Sequence, residues 1–397
     1  MSGSLVLFII GDLNVGGTEG HLIRILPYIK AYGFRVLVYT LTHEGHLAPL
    51  AKEQGIEVVA PPLSSKIRTL PPSLRPFFSI PLTSFYLWWT INRHQPVIVH
   101  YFLPAAYLLG GICSHFSKKR IQIMSRRSLN LYQKKYPLLR HLEYYLHGKM
   151  NAILGNSNAV VAELLKEGAA PERLGMIYNG IEVLEGEMTD QRSHIRKTLN
   201  IPSSTLVLVM VANLIFYKGH RDVLQGIALA QKQLQEKWIA LFVGRDDGIG
   251  SSLQSLAEAL RINENVRWLG QSDKVSEILL ASDIGILCSH EEGFSNTILE
   301  NMAAGLPMVV TDVGGNCEAV IDGNTGLVVP PHSPQAIGKA IVKLAQNSEL
   351  RQQMGMAGKE RIKSEFALSK CVKKYGQLYK ALLSNTEKPI TEILSAS

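Results

Sequence analysis

Twice along this chain a series of short apolar runs recurs without the polar alternation of a half-exposed strand. The first series covers residues 5–10, 36–41, 57–60, 97–100, 121–125 and 152–155; the second covers 206–212, 238–244, 266–270, 283–288, 308–311 and 326–329. A run that is apolar throughout suits a strand covered on both faces. Longer helical patterns stand between successive runs, so the expected class is α/β, with parallel sheets and crossover helices. A polar stretch, residues 180–204, separates the two series and reads as an interdomain connection. With 397 residues the chain exceeds the ~250–300 at which single cores stop growing, which agrees with two domains. Two such halves facing each other leave a cleft, and ligands of open α/β sheets bind beyond the carboxyl ends of the strands.

The balance of 46% hydrophobic and 19% charged residues is that of a globular protein. Disorder is expected only in the tail from about residue 384. Cys113, Cys288, Cys317 and Cys371 show neither metal-type spacing nor a disulfide framework, so reduced thiols in a cytoplasmic protein are expected. The first residues lack a charged n-region and a cleavage site. No stretch reaches the ~20 apolar residues of a membrane span; the nearest, 97–116, is interrupted by His100 and Pro104. The net charge of +8 is unevenly spread. Between residues 60 and 149 stand 13 Lys and Arg, among them Lys66, Arg68, Lys118, Lys119, Lys134 and Lys135, against a single acid, Glu143. Such asymmetry calls for an anionic partner or surface. Residues 71–89 mix prolines with Phe77, Phe78, Phe85, Tyr86, Trp88 and Trp89. Beside the basic residues they read either as a membrane-resting surface or as a helix burying its aromatics.

The strongest chemical signal is Glu291-Glu292-Gly293-Phe294-Ser295-Asn296-Thr297-Ile-Leu-Glu300, directly after the run 283–288. Ser295 suits an N-cap. The backbone N–H groups at Ser295, Asn296 and Thr297 would then face a phosphate, helped by the helix dipole. Glu292 in the preceding loop would lie beside whatever the phosphate carries, and Glu300 within reach of a ribose diol. An acidic turn followed by an ordinary helix Glu is the plain alternative. A second signal, Val211-Ala-Asn213-Leu-Ile-Phe-Tyr-Lys218-Gly219, sets a lysine beside a glycine after a strand, where it reaches a diphosphate as a mobile point charge. A third, Gly16-Gly17 after the first run, lets backbone approach an oxyanion closely. It serves equally as a tight turn, and its spacing is not that of a dinucleotide loop.

Glu292 and Glu300 match the Glu-x7-Glu motif of the retaining glycosyltransferases of family 4. The continuation Asn301-Met-Ala-Ala-Gly-Leu-Pro-Met-Val-Val-Thr-Asp-Val-Gly-Gly-Asn-Cys-Glu318 and Asp322-Gly-Asn-Thr-Gly-Leu-Val-Val-Pro330 also resembles that family. The resemblance spans nearly the whole chain and is strongest over residues 211–330. It implies the GT-B fold, two Rossmann-like domains facing each other across a cleft, and transfer with retention of anomeric configuration. It implies that Lys218 neutralises the leaving diphosphate, that Glu292 orients the sugar, and that the Gly16-Gly17 loop faces the donor. Where many members carry an arginine this chain has Asn213, with Arg245 a candidate replacement. Where many carry a sugar-contacting histidine it has Arg126. Arg126, Arg127 and His100 are therefore candidates for acceptor or phosphate contact, although His100 suits a core position equally.

The implied donor is a nucleotide-diphosphate sugar, UDP being the expected nucleotide. The transferred group would be a hexosyl or N-acetylhexosaminyl unit and the acceptor a glycan or lipid-linked molecule of envelope polysaccharide synthesis. No Asp-x-Asp occurs, so no cofactor and no divalent ion is expected to be required. The expected location is cytoplasmic, with reversible contact with an anionic membrane and none with nucleic acid. Two alternatives remain at this level: a sugar-nucleotide epimerase or hydrolase of the same fold, and a non-catalytic binder of anions or nucleic acid. The domains are expected at residues 1–183 and 184–370, with a C-terminal helix at 371–385 returning to the first domain and a flexible tail at 386–397.

Overall fold

The computed structural model describes residues 3–63, 71, 74–115, 120–129, 133, 136–183, 189–234 and 237–395. The chain forms two compact units, one of residues 1–180 with 368–397 and one of residues 181–367. Both boundaries fall slightly before the expected ones; the interdomain segment 184–188 lies outside the described residues.

Among the described residues, the first unit holds seven strands: β1 (Leu5–Ile10), β2 (Arg35–Thr40), β3 (Glu57–Val59), β4 (Ile98–Phe102), β5 (Ile121–Arg126), β6 (Ala152–Gly155) and β7 (Leu174–Met176). They pair in the order β3-β2-β1-β4-β5-β6-β7, all parallel. Strand β1 shows why its sequence does not alternate. Val6, Phe8 and Ile10 point into a core shared with helices Gly17–Ala31 and Leu368–Leu383. Leu5, Leu7 and Ile9 point into a second core, with Leu87, Ile91, Ala106 and Tyr107. Each face thus removes apolar area from water at roughly 25 cal/mol per Å².

The second unit holds six strands among the described residues: β8 (Leu206–Val211), β9 (Trp238–Val243), β10 (Val266–Gly270), β11 (Ile284–Leu287), β12 (Met308–Thr311) and β13 (Gly326–Val329). Their order is β10-β9-β8-β11-β12-β13, again parallel. In both sheets the order reverses beside the first strand, at β1/β4 and at β8/β11. Such a switch point opens a crevice at the carboxyl ends of the strands. Asp283 locks the start of β11: its carboxylate accepts from the Val207 N–H at 2.8 Å and pairs with Arg192 and Arg196 at 2.6 and 2.7 Å.

The expected C-terminal helix spans Leu368–Leu383 and packs on the first unit, burying Leu368, Cys371, Val372, Tyr375, Leu378 and Tyr379. The tail differs from its expected flexibility. Residues Ile390–Ser395 form another helix, with Ile390, Ile393 and Leu394 buried in the same core. The i, i+3, i+4 spacing of these three gives one apolar stripe, short but sufficient to dock.

Candidate active site

The carboxyl ends of β8 and β11 bring Lys218 and Glu292 together. After β8 the chain makes one short helical turn, Phe216–Lys218, and then Gly219 in the left-handed region at φ 75°. A β-carbon at Gly219 would meet the Cys288 carbonyl oxygen at 1.9 Å, so only glycine lets this turn lie against the end of β11. The Lys218 Nζ donates to Glu292 Oε1 at 2.6 Å, with side chains 20% and 10% exposed. Burial opposes the lysine charge, yet the Glu292 carboxylate, together with Tyr217 and Glu291, holds the ammonium's pKa above the ordinary lysine value. Ser289 Oγ donates to the same Glu292 oxygen at 2.8 Å, and the Tyr217 ring lies 5.4 Å from the ammonium. An ammonium has three N–H groups, and one carboxylate oxygen occupies one of them.

The Glu292 backbone is fixed by a second glycine. Gly314, at φ 50°, lies so close that a β-carbon there would meet the Glu292 carbonyl oxygen at 1.7 Å. The adjacent Gly315 N–H donates to the Gly293 carbonyl at 3.0 Å. The helix Asn296–Ala303 begins where expected, with Ser295 buried at the N-cap position, but no side-chain cap bond is formed there. Asn296, Thr297 and Glu300 are half-buried along it. Phe294 turns inward, its ring 5.4 Å from that of Phe366, so it packs the loop rather than facing a ligand.

Asn213 and Arg245 are neighbours. The Asn213 Oδ1 accepts from the Arg245 backbone N–H at 3.2 Å, while the Arg245 guanidinium donates to Asp247 at 2.6 and 3.2 Å. Asp247 thus holds the candidate replacement cation, and raises its pKa, at a half-exposed position. In the first unit, extended Gly16 caps the helix Gly17–Ala31, and Glu19 folds back over it: a β-carbon at Gly16 would meet the Glu19 carboxylate at 2.3 Å. Burial raises the Glu19 pKa.

Three sequence-nominated contacts turn out to be interior. Arg126 pairs with Glu143 and, at 2.5 Å, with Glu167; Gln133 and His147 complete the network at 2.8 and 3.1 Å. Arg127 donates to Asn179 and stacks over Phe102 at 5.8 Å. His100 bridges the Tyr379 hydroxyl at 2.7 Å and Ser125 Oγ at 2.8 Å, and burial holds its pKa well below the usual histidine value. A buried charge persists only when paired, and Arg126 found its acids in segments remote in sequence. Neither Arg126 nor His100 therefore offers itself to an acceptor. Ser289 and Tyr217 were missed; their only sequence signal is adjacency to the motifs.

The basic window is partly visible. Lys66, Arg68, Lys118, Lys119, Lys134 and Lys135 lie outside the described residues. Helix Arg75–His94 buries Thr83, Leu87, Thr90 and Ile91 along one face and leaves Phe77, Phe78, Ile80, Phe85, Trp88 and Trp89 exposed on the rest. It packs on helix Pro104–His115, which packs on helix Pro137–His147, where Leu138, Leu139 and Tyr145 are exposed. Arg93 lies over Trp89 at 5.5 Å and Lys149 over Tyr145 at 5.2 Å. The helix therefore does not bury its aromatics as a set: its buried face is carried by Thr83, Leu87, Thr90 and Ile91, and Phe77, Phe78, Phe85, Trp88 and Trp89 lie outside. Among the described residues no helix is long and apolar enough to cross a membrane.

The family description "Glycosyl transferases group 1" matches residues 191–361, and "Glycosyltransferase Family 4" matches residues 15–183. The chain is 27% identical over 290 residues to N-acetyl-alpha-D-glucosaminyl L-malate synthase of Bacillus anthracis, covering 71% of this chain and 73% of that protein. Among solved structures, Anabaena HepE in complex with UDP-glucose superposes with a TM-score of 0.81 at 20% identity, over 96% of this chain and all of that one. WaaG, a glycosyltransferase involved in lipopolysaccharide biosynthesis, superposes with a TM-score of 0.76 at 20% identity, over 94% and 99% of the two chains.

Proposed function

This chain belongs to glycosyltransferase family 4, and from that membership we propose that it transfers a hexosyl or N-acetylhexosaminyl group from a UDP-sugar, with retention of anomeric configuration. The acceptor is a glycan or lipid-linked molecule of envelope polysaccharide synthesis. The observation that carries the reading is the Lys218–Glu292 pair at 2.6 Å, at the β8/β11 switch point of the second unit. In transfer with retention, negative charge builds on the departing diphosphate while positive charge builds on the sugar. A lysine that remains charged answers the first, and a carboxylate held by Ser289 and the Gly314 turn answers the second. The start of helix Asn296–Ala303 supplies further N–H groups for phosphate. The names of the relatives support the class of donor and pathway: one is described with UDP-glucose and another with lipopolysaccharide biosynthesis. The absence of Asp-x-Asp from the sequence supports a reaction in which no divalent ion is required.

The exposed aromatic helix and its basic neighbours support a second element of the reading: reversible attachment to the anionic cytoplasmic face of a membrane, where a lipid-linked acceptor resides. Aromatic rings suit the headgroup zone, and each nearby basic residue contributes about 1 kcal/mol toward an anionic surface.

The test of the activity is product analysis. The protein is incubated with UDP-glucose, UDP-galactose or UDP-N-acetylglucosamine and a panel of lipid-linked and soluble glycan acceptors, and the new glycosidic bond is read by NMR. A product with the donor's anomeric configuration is expected. An inverted product overturns retention, and release of free sugar from every donor overturns transfer to a glycan or lipid.

A further inference from the structure

Three metal-ligating side chains meet on the second unit apart from the transfer residues. Asp222 stands in the first turn of helix His220–Ala230, His290 follows β11, and His332 lies in the turn between β13 and helix Pro334–Ala345. His290 Nε2 is 2.8 Å from Asp222 Oδ2, and His332 Nδ1 is 3.9 Å from the same oxygen. The two imidazole rings lie 3.8 Å apart between centroids, tilted by 39°. All three donor atoms fall within 4.8 Å of one another. His332 takes the left-handed backbone conformation, φ 55°, and its ring lies against that of His290.

We propose that Asp222, His290 and His332 bind a first-row divalent transition ion, zinc by the chemistry of the set. Two imidazole nitrogens and one carboxylate oxygen form a borderline-soft set that suits zinc, whereas magnesium and calcium favour all-oxygen shells. Zinc binds such atoms at about 2.0–2.2 Å, so neighbouring ligands on a tetrahedron stand ~3.3–3.5 Å apart. The separations of 2.8 and 3.9 Å bracket that edge; two imidazoles on one tetrahedral ion hold their ring centres about 5 Å apart, so the exposed His332 ring swings outward by roughly an ångström on binding. The ion takes the place of the proton shared by His290 and Asp222, and water fills the fourth position. Asp222 and His290 are each mostly buried, with side chains 13% exposed; His332 is 65% exposed and closes the site from outside. The occupied site would tie together segments at residues 222, 290 and 332. The His290 backbone N–H already donates to the Tyr217 carbonyl at 2.7 Å, so the clip would brace the turn that carries Lys218 without taking part in the transfer.

The test is zinc binding to the full chain after chelator stripping, read by competition with a chromophoric chelator and by the thermal unfolding midpoint. About one equivalent of zinc is expected to bind and to raise the midpoint, with magnesium at the same concentration doing neither. His332→Ala changes an exposed side chain and should keep the fold; it should weaken zinc binding at least ~10-fold and abolish the thermal shift. Cys317→Ser removes an exposed thiol that could bind zinc adventitiously, and should leave both readouts unchanged. Zinc affinity unaltered by His332→Ala, no zinc binding by the stripped protein, or loss of binding in Cys317→Ser instead would each overturn the proposal.

Discussion

At the scale of single residues, the proposed chemistry rests on Glu292. Replacing Glu292 with Gln keeps the shape and removes the charge. Turnover should fall by two or more orders of magnitude, the scale of losing a preorganised charge contact in the transition state. UDP binding, measured by calorimetry, should survive, since the other phosphate-facing groups remain; near-normal turnover would remove Glu292 from the chemistry. Ser289→Ala removes only the hydroxyl that donates to Glu292 at 2.8 Å. A hydrogen bond to a charged group contributes about 1.5–3 kcal/mol, so a loss of turnover of roughly ten-fold or more is expected. His21 and His100 govern a different property. Burial depresses both pKa values well below the usual 6.5. An unfolded histidine takes up its proton near pH 6.5, whereas these two stay neutral in the fold, so below that pH the unfolded state binds more protons and stability falls. The loss is about 1.4 kcal/mol per pH unit for each histidine. Calorimetric scans at pH 7.5 and 5.5 should show a lower midpoint at the acid pH, and an unchanged midpoint would contradict the assignment. Much at this scale was legible in the sequence: Lys218, Gly219, Glu292 and the helix after Ser295 announce themselves by spacing. Arg126 and His100 could not, because their partners Glu143, Glu167 and Tyr379 come from distant segments and only the folded chain brings them near.

At the scale of elements, strands covered on both faces were readable because they are apolar throughout, as β1 and β8 show. The edge strand β7 was not, since Leu-Gly-Met is too short to carry a period. The docked helix Ile390–Ser395 was obscured by the polar residues before it, and its three apolar side chains decide its fate. The helix Arg75–His94 was legible as aromatic but not as two-faced, because which aromatics stay outside depends on what the helix packs against. Its exposed rings, Phe77 at 74% above all, carry the membrane prediction. In co-sedimentation, the protein should bind vesicles containing anionic lipid, bind neutral ones much less, and lose binding as salt shortens the ~10 Å Debye length. Replacing Phe77 and Phe78 with Ser, or Arg93 and Arg140 with Ser, should each weaken attachment. Indifference to vesicle charge would assign the basic residues to a soluble anionic acceptor instead.

At the scale of the whole molecule, most of the residues proposed to hold the donor nucleotide, Asn213, Lys218, Arg245, Ser295, Asn296, Thr297 and Glu300, belong to the second unit, with the Gly16-Gly17 loop in the first. Saturating UDP should therefore slow amide exchange there first and raise that unit's stability, by about 2.7 kcal/mol at a hundred times the dissociation constant. Protection confined to the first unit would contradict the placement. Stripping with EDTA should leave turnover largely intact; complete loss restored by magnesium or manganese would overturn the proposal that transfer needs no divalent ion. The route of the chain between its two units has a consequence of another kind. It leaves the first unit after Gly180 and re-enters at Leu368, and at these crossings the Ile181 N–H donates to the Phe366 carbonyl at 2.9 Å. The second unit is thus an insert whose two ends meet, and an insert with adjoining ends can enter or leave its host without stretching it. A gene that lost codons 181–367 would join two points of the first unit already side by side, and one that exchanged them for a relative's would receive a different second unit while keeping its own first.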